Sequence, residues 1–203
     1  MSFELLIDIC PPGTMDKTLE HLSEMQQVAF TSGNITAEAI WTTEFGEADQ
    51  VISLWRLSHK TTTHDRIETS HLRPSPSIDK HIRISRRLKL EFPFDNQFAD
   101  GHFYDFRTYT LYPGMREKFL KHMQKALPVR TQYSRNVGVW TPVDGNSDQI
   151  IHIWAYRDLA DRARARAGAW QEPEWHSYLD HIFPLIRQMQ NALLMPVKFS
   201  AMQ

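Results

Sequence analysis

Trp140-Thr141-Pro142-Val143-Asp144-Gly145-Asn146-Ser147-Asp148-Gln149-Ile150-Ile151-His152-Ile153-Trp154 repeats the order of Trp41-Thr42-Thr43-Glu44-Phe45-Gly46-Glu47-Ala48-Asp49-Gln50-Val51-Ile52-Ser53-Leu54-Trp55, ninety-nine residues earlier. Trp, Thr, Gly, Asp, Gln and Trp recur in one order at one spacing, which unrelated stretches rarely do. Outward from there, Ile9-Cys10-Pro11-Pro12-Gly13-Thr14-Met15 aligns with Thr110-Leu111-Tyr112-Pro113-Gly114-Met115-Arg116. The match continues through Lys17/Lys118, Leu19/Leu120 and His21/His122. Leu90-Glu91-Phe92-Pro93-Phe94 aligns in turn with Leu194-Met195-Pro196-Val197-Lys198-Phe199. Self-similarity of this kind reads as a duplicated structural unit. The expected units are residues 1–98 and 102–203, joined near 95–101, the first a degenerate copy of the second.

The periods are clearest in the second unit. Phe103–Leu111 is rich in aromatics and Thr and stops at Tyr112-Pro113-Gly114, so a strand enters a turn. Met115, Phe119, Met123 and Ala126 recur at helical spacing up to Pro128. Val137–Thr141 and Gln149–Tyr156 flank the turn-forming Asp144-Gly145-Asn146-Ser147 and read as a hairpin. Asp158 is placed to cap a second helix whose apolar face is Leu159, Ala163 and Ala167. Pro173 opens a further helical segment with Trp175, Leu179 and Ile182 on one side, and Met189–Met195 is a last apolar strand. The order β-α-β-β-α-β is that of a ferredoxin-like unit. Its helices cover one sheet face and leave the other bare, and two units can bury their bare faces together. The fold class expected is therefore α+β, two tandem ferredoxin-like units whose sheets pair into an α+β barrel.

Composition narrows the function classes. The 203 residues are 41% hydrophobic and 23% charged, which excludes disordered and collagen-like classes. No apolar run is long enough to span a membrane, and the N-terminal segment lacks the marks of a secretory or organelle leader. Cys10 is the single cysteine, so no disulfide forms within the chain and a cytoplasmic location is expected. A net charge of −1 argues against nucleic acid as a partner. The charge is unevenly shared, however. Residues 1–101 carry 10 basic and 15 acidic side chains and residues 102–203 carry 13 and 9, so an anionic ligand is sought in the second unit. The basic run Lys80–Lys89 is expected to be a solvated helix and edge-strand face.

Five segments of the second unit together resemble the NIPSNAP family, within the dimeric α/β-barrel superfamily: Tyr104–Gly114, Val137–Thr141, Gln149–Tyr156, Asp161–Arg166 and Pro173–Trp175. The first unit departs from them, with Leu6 in place of Arg107, Asp8 in place of Tyr109 and Ser53 in place of His152. The resemblance implies the barrel fold and a homodimer. For activity it implies a choice among cofactor-free monooxygenases, small-lactone isomerases and haem enzymes, while NIPSNAP proteins of animals are associated with vesicle and mitochondrial roles.

Strand alternation sets Ile150, His152, Trp154 and Tyr156 on one face. An imidazole between bulky apolar neighbours has its charged form disfavoured, which suits a neutral base. The competing reading is a core histidine satisfied by a carbonyl, by Gln149 or by a tyrosine. Arg107 and Tyr109 share a face of their strand, and Arg162 and Arg166 lie one helical turn apart. Guanidiniums there suit a carboxylate or phosphate, unless Asp158 and Asp161 absorb them as surface pairs. The candidate site is thus His152 and Tyr109 for acid/base work, with Arg107, Arg162, Arg166, Trp140, Trp154, Tyr156, Trp175 and Tyr178 holding a ligand. No metal-binding spacing occurs among the histidines, His59, His64 and His71 included. No resident cofactor is expected, although a haem needs one axial ligand and His152, His176 or His181 could supply it. The expected function is acid/base chemistry, either isomerisation or cofactor-independent oxygenation, on an anionic or aromatic small molecule. The alternatives are a non-catalytic module binding a metabolite or protein, and a haem protein.

Overall fold

A computed structural model describes residues 1–58, 78–95 and 102–202. The first half contributes β1 (Ser2–Ile9), α1 (Met15–Ser32), β2 (Ile35–Phe45), β3 (Gln50–Leu57) and β4 (Ile82–Leu90). The second contributes β5 (Phe103–Leu111), α2 (Arg116–Arg130), β6 (Arg135–Pro142), β7 (Gln149–Tyr156), α3 (Leu159–Ala169), α4 (Pro173–Ile182) and β8 (Ile186–Pro196). A 3-10 turn, Phe183–Leu185, links α4 to β8. Expected His59, His64 and His71 lie outside the described residues.

The strands close into one barrel in the order β1-β3-β2-β8-β5-β7-β6-β4. Each half forms a four-stranded antiparallel sheet, and the halves meet along β2·β8 and β4·β6. Closure leaves no strand edge unpaired among the described residues, which removes the usual liability of an open sheet. It also corrects the reading of Lys80–Lys89. From Ile82 onward that run is β4, a strand paired with β1 on one side and β6 on the other. Its alternate basic residues are held by carboxylates of β1: Arg83 pairs with Asp8 and Arg87 with Glu4.

Period-2 alternation divides the apolar residues between three cores. Phe3, Leu5, Trp41, Leu54, Tyr104, Trp140 and Ile153 point into the barrel. Leu6, Trp55 and their neighbours pack under α1, while Tyr109, Ile150, Trp154 and Tyr156 pack under α2 and α4. Equivalent positions of the two quoted repeats fall on equivalent faces, Trp41 and Trp140 inside and Trp55 and Trp154 outside.

Two helices differ from expectation. α2 does not stop at Pro128 but runs to Arg130, closed by Thr131 N–H on Leu127 O at 2.8 Å. A proline so near the C-terminus forfeits one hydrogen bond without ending the final turn. α3 is capped by Asp158 as expected, its side chain accepting from Asp161 N–H, but it presents another face. Ala165 and Ala169 are buried, whereas Leu159, Ala163 and Ala167 face outward. Alanine lets α3 lie close to the sheet, and the arginines beside that stripe then reach beneath it. Among the described residues no helix is long and apolar enough to cross a membrane.

Candidate functional site

Between the outer face of β5 and β7 and the helices α2, α3 and α4 lies a cavity of about 170 Å³. β7 supplies His152, Trp154 and Tyr156, and β5 supplies Arg107 and Tyr109. Arg166 enters from α3, and Trp175 and Tyr178 from α4. Eight of the ten expected residues therefore meet at one place. The other two do not. Trp140 points the opposite way from β6 and is fully buried in the barrel interior. Arg162 turns beneath the cavity and donates from Nε to Asp105 Oδ2 at 2.9 Å.

His152 is 4% exposed. Its Nδ1 accepts a hydrogen bond from Trp154 Nε1–H at 2.8 Å. An indole nitrogen only donates, so Nδ1 is the unprotonated ring nitrogen and Nε2 carries the hydrogen. Nε2 has no hydrogen-bond partner among the described residues. A buried donor left unmade costs about 1–3 kcal/mol. Desolvation, reinforced by the Arg107 charge, pushes the imidazole down to about 3. At neutral pH, then, His152 is an uncharged donor directed through Nε2. With one nitrogen committed to the indole and the other protonated, it is poorly placed as the base expected from sequence, and well placed to hydrogen-bond an oxygen.

The position of the first half that aligns with His152 carries a different group. Trp55 Nε1–H donates to Ser53 Oγ at 2.8 Å, the same indole bond between neighbours two apart on the strand. Serine caps the indole and presents no second nitrogen. Asp8, equivalent to Tyr109, is buried and held by Arg83 through both its oxygens at 2.6 and 3.0 Å.

Three arginines and no carboxylate line the cavity. Arg107 donates to Tyr109 Oη at 2.9 Å and to Asp105 Oδ2 at 3.0 Å. Burial alone would raise Asp105, but the guanidiniums of Arg107 and Arg162 outweigh it and hold the carboxyl below its ordinary range. Arg130 is 5% exposed and donates to Ser134 and to Tyr156 Oη. Its guanidinium carbon lies 4.8 Å from the Trp154 ring and 5.6 Å from Trp175, so aromatic faces share its charge. Arg166 differs from both: it is an exposed residue whose side chain makes no hydrogen bond or ion pair among the described residues. Partial desolvation where it borders the cavity, and then the neighbouring charges of Arg107 and Arg162, depress it. Asp161, expected as its partner, instead takes Arg157 and Arg164. A pocket with this excess of positive charge attracts an anion.

Sequence reasoning missed Arg130, Met123, Phe183 and Met189, which line the same cavity, while Trp170, found there too, is readable beside Trp175 as a residue of a ligand cleft. Only Arg130 left a signal, a charge in register with the buried face of α2. Trp170, Phe183 and Met189 are half exposed and form an apolar rim.

Engineered cavities of about 150 Å³ hold a single benzene, so this one has room for a molecule of one ring. His176 and His181 each engage a backbone carbonyl through one ring nitrogen, of Trp170 and Ser177 respectively. Among the described residues no group of three His, Cys, Asp or Glu is gathered to hold a metal.

The model of the NIPSNAP family matches residues 104–201, the half that carries the cavity. Protein NipSnap homolog 1 of Danio rerio is 30% identical over 174 residues, which are 80% of this chain and 62% of that one. The chain belongs to the NIPSNAP family. Human Protein NipSnap homolog 2 is 28% identical over 179 residues, 83% of this chain and 62% of its own length. The chain thus spans less than two thirds of the length of each of these two relatives. Two solved structures share the barrel over nearly its whole length. A candidate monooxygenase of Fusobacterium nucleatum has a TM-score of 0.69 at 12% identity, covering 97% of this chain and 93% of its own. An anthrone oxidase-like protein has a TM-score of 0.65 at 9% identity, covering 100% and 94%. At such identities the likeness is of fold, and the chemistry must be argued from the NIPSNAP chain's own residues.

Proposed function

We propose that the cavity is the active site of a cofactor-independent enzyme, acting on a one-ring or similarly small anionic or aromatic molecule. The observation that carries this reading is the buried Nε2–H of His152, unpartnered among the described residues and beside three lining arginines, of which only Arg107 is paired with a carboxylate. A carboxylate, phenolate or enolate oxygen satisfies that donor, and Arg166 supplies the charge that no internal partner uses. His152 then stabilises negative charge developing on the substrate oxygen, as a fixed neutral donor. Tyr109, its hydroxyl oxygen already accepting from Arg107, has its own proton to exchange with substrate 4.7 Å from the imidazole, ring to ring. A substrate that binds already ionised, as an enolate or phenolate, needs no base from the cavity, and either isomerisation or cofactor-independent oxygenation can begin from it held in this way. The fold shared with monooxygenase-like and oxidase-like proteins supports the second as analogy.

One observation favours a non-catalytic binding module instead. Arg107 and Arg130 are already engaged by Asp105, Tyr109, Ser134 and Tyr156, which suits a site that holds a ligand without altering it. Calorimetry with a panel of monocyclic carboxylates and phenols, followed by oxygen uptake and product analysis on those that bind, separates the readings. The enzyme reading expects binding with turnover, lost in His152→Ala while binding survives in weakened form. Binding without turnover of any member supports the module, and no binding removes both.

The two halves are proposed to be copies of one unit, residues 1–98 kept as scaffold and 102–203 as the working site, in a cytoplasmic protein. A second copy of the chain would dock through helical faces, because the closed barrel offers no strand edge. The particle mass in solution tests this.

A further inference from the structure

The barrel interior is filled unevenly. At one end Phe3, Phe94 and Trp140 pack edge to face, with ring centroids 5.0 to 6.0 Å apart. At the other end the inward positions hold smaller or polar side chains, and a second cavity of about 510 Å³ opens there. It draws its lining from both halves: Ile7, Ile52, Ile84 and Arg86 from one, Phe106 and Gln149 from the other. Strand alternation puts all of them on the inner face, in line with Leu5, Leu54, Leu88, Tyr104 and Ile151 of the barrel core. This cavity lies on the opposite side of the sheet from His152.

Arg86 is the unusual occupant. It is half-buried inside the barrel, and its one hydrogen bond goes from Nη1 to the neutral amide oxygen of Gln149, at 2.9 Å. The carboxylate of Glu47 at the rim is itself bonded by Gln50 Nε2 at 2.7 Å. A guanidinium in such surroundings is stabilised far better by an anion that takes two of its parallel N–H groups. The order along β4 gives the orientation. Leu88 belongs to the filled end, Arg86 comes next, and Ile84 and Ile82 follow toward the opening, 37% and 55% exposed. The charge is therefore deep, and the mouth is apolar along β4, while Glu47, Gln190 and Asn191 make the rest of the rim polar.

We infer that the open end of the barrel is a second ligand site, for an amphiphilic monocarboxylate whose head enters to Arg86 and Gln149. Its alkyl portion lies against Ile7, Ile52 and Ile84 and leaves through the mouth. The site is independent of the His152 cavity and of the function proposed for it.

Isoleucine δ-methyl NMR on the intact protein, titrated with sodium octanoate, tests this. Saturable shifts are expected at Ile7, Ile52 and Ile84, with Ile150 and Ile182 of the helix side unmoved. Octanol, which has the tail without the charge, is expected to bind at least about tenfold more weakly, as is octanoate to Arg86→Met. The wild-type comparison of octanoate with octanol stands even where that variant fails to fold. Arg166→Met should leave the octanoate shifts unchanged. Absence of saturable shifts, shifts confined to Ile150 and Ile182, or equal binding of octanol and octanoate would overturn the assignment.

Discussion

Trp154 Nε1–H donates to His152 Nδ1 at 2.8 Å, between two side chains that share a strand face and are separated by one residue. That bond fixes the imidazole tautomer and so decides what the cavity meets, an N–H donor rather than a lone pair. Replacing Trp154 by Phe removes the donor while keeping a ring. The His152 nitrogen resonances of Trp154→Phe should show Nδ1 gaining protonated character at the expense of Nε2. Unchanged nitrogen shifts would mean that something other than the indole selects the tautomer.

The same residue sets a pH dependence of stability. Folded His152 titrates near 3, against 6.5 for the free side chain. Between those values the unfolded chain binds a proton that the folded chain refuses, so stability falls as pH drops through this window. The slope for one proton is about 1.4 kcal/mol per pH unit. Urea unfolding from pH 7 to 4 should show His152→Gln losing less stability than the wild type, by about that slope.

Asp105 adds to the acid sensitivity for the opposite chemical reason. Its carboxyl is held below the ordinary range, so the stability it contributes is present above its unfolded value and is lost as pH falls through the folded one. Asp105→Asn leaves Arg107 and Arg162 without their buried counter-charge and should cost about 3 kcal/mol at pH 7. Arg164→Met removes an exposed pair with Asp161 and should cost less than about 0.5 kcal/mol. Chemical denaturation of the two variants reads the contrast.

These residues also show how far the sequence carries. His152, Trp154 and Tyr156 are legible from alternation alone, because a strand turns every second side chain to one face. So is the barrel, since the repeated Trp pairs demand equivalent places in two sheets. α3 defeats the same logic: Leu159, Ala163 and Ala167 make one apolar stripe and Ala165 and Ala169 another, and only packing against β7 decides between them. Arg130 lies past a proline that looks like a helix end. The ion pairs of Asp105 with Arg162, and of Asp8 with Arg83, join residues far apart in the chain. No local pattern announces them.

Gly138 marks a close approach inside the barrel. A Cβ placed on it would fall 2.6 Å from the Trp140 ring, whereas the equivalent Ala39 of the first half is accommodated beside Trp41. Gly138→Ala should therefore destabilise by about 1–3 kcal/mol, because the ring must shift in a filled interior. Differential scanning calorimetry checks this, with Gly145→Ala as the contrasting case in which strain comes from a positive φ of 73° and not from crowding.

The central claim is that the buried Nε2–H of His152 waits for an anionic ligand atom. Titrating benzoate into protein labelled with 15N-histidine observes that group directly. The account predicts a saturable downfield shift of the His152 Nε2 proton, reduced in Arg166→Met. A resonance that stays fixed while benzoate saturates the protein, or that already reports a strong hydrogen bond before any ligand is added, would contradict it.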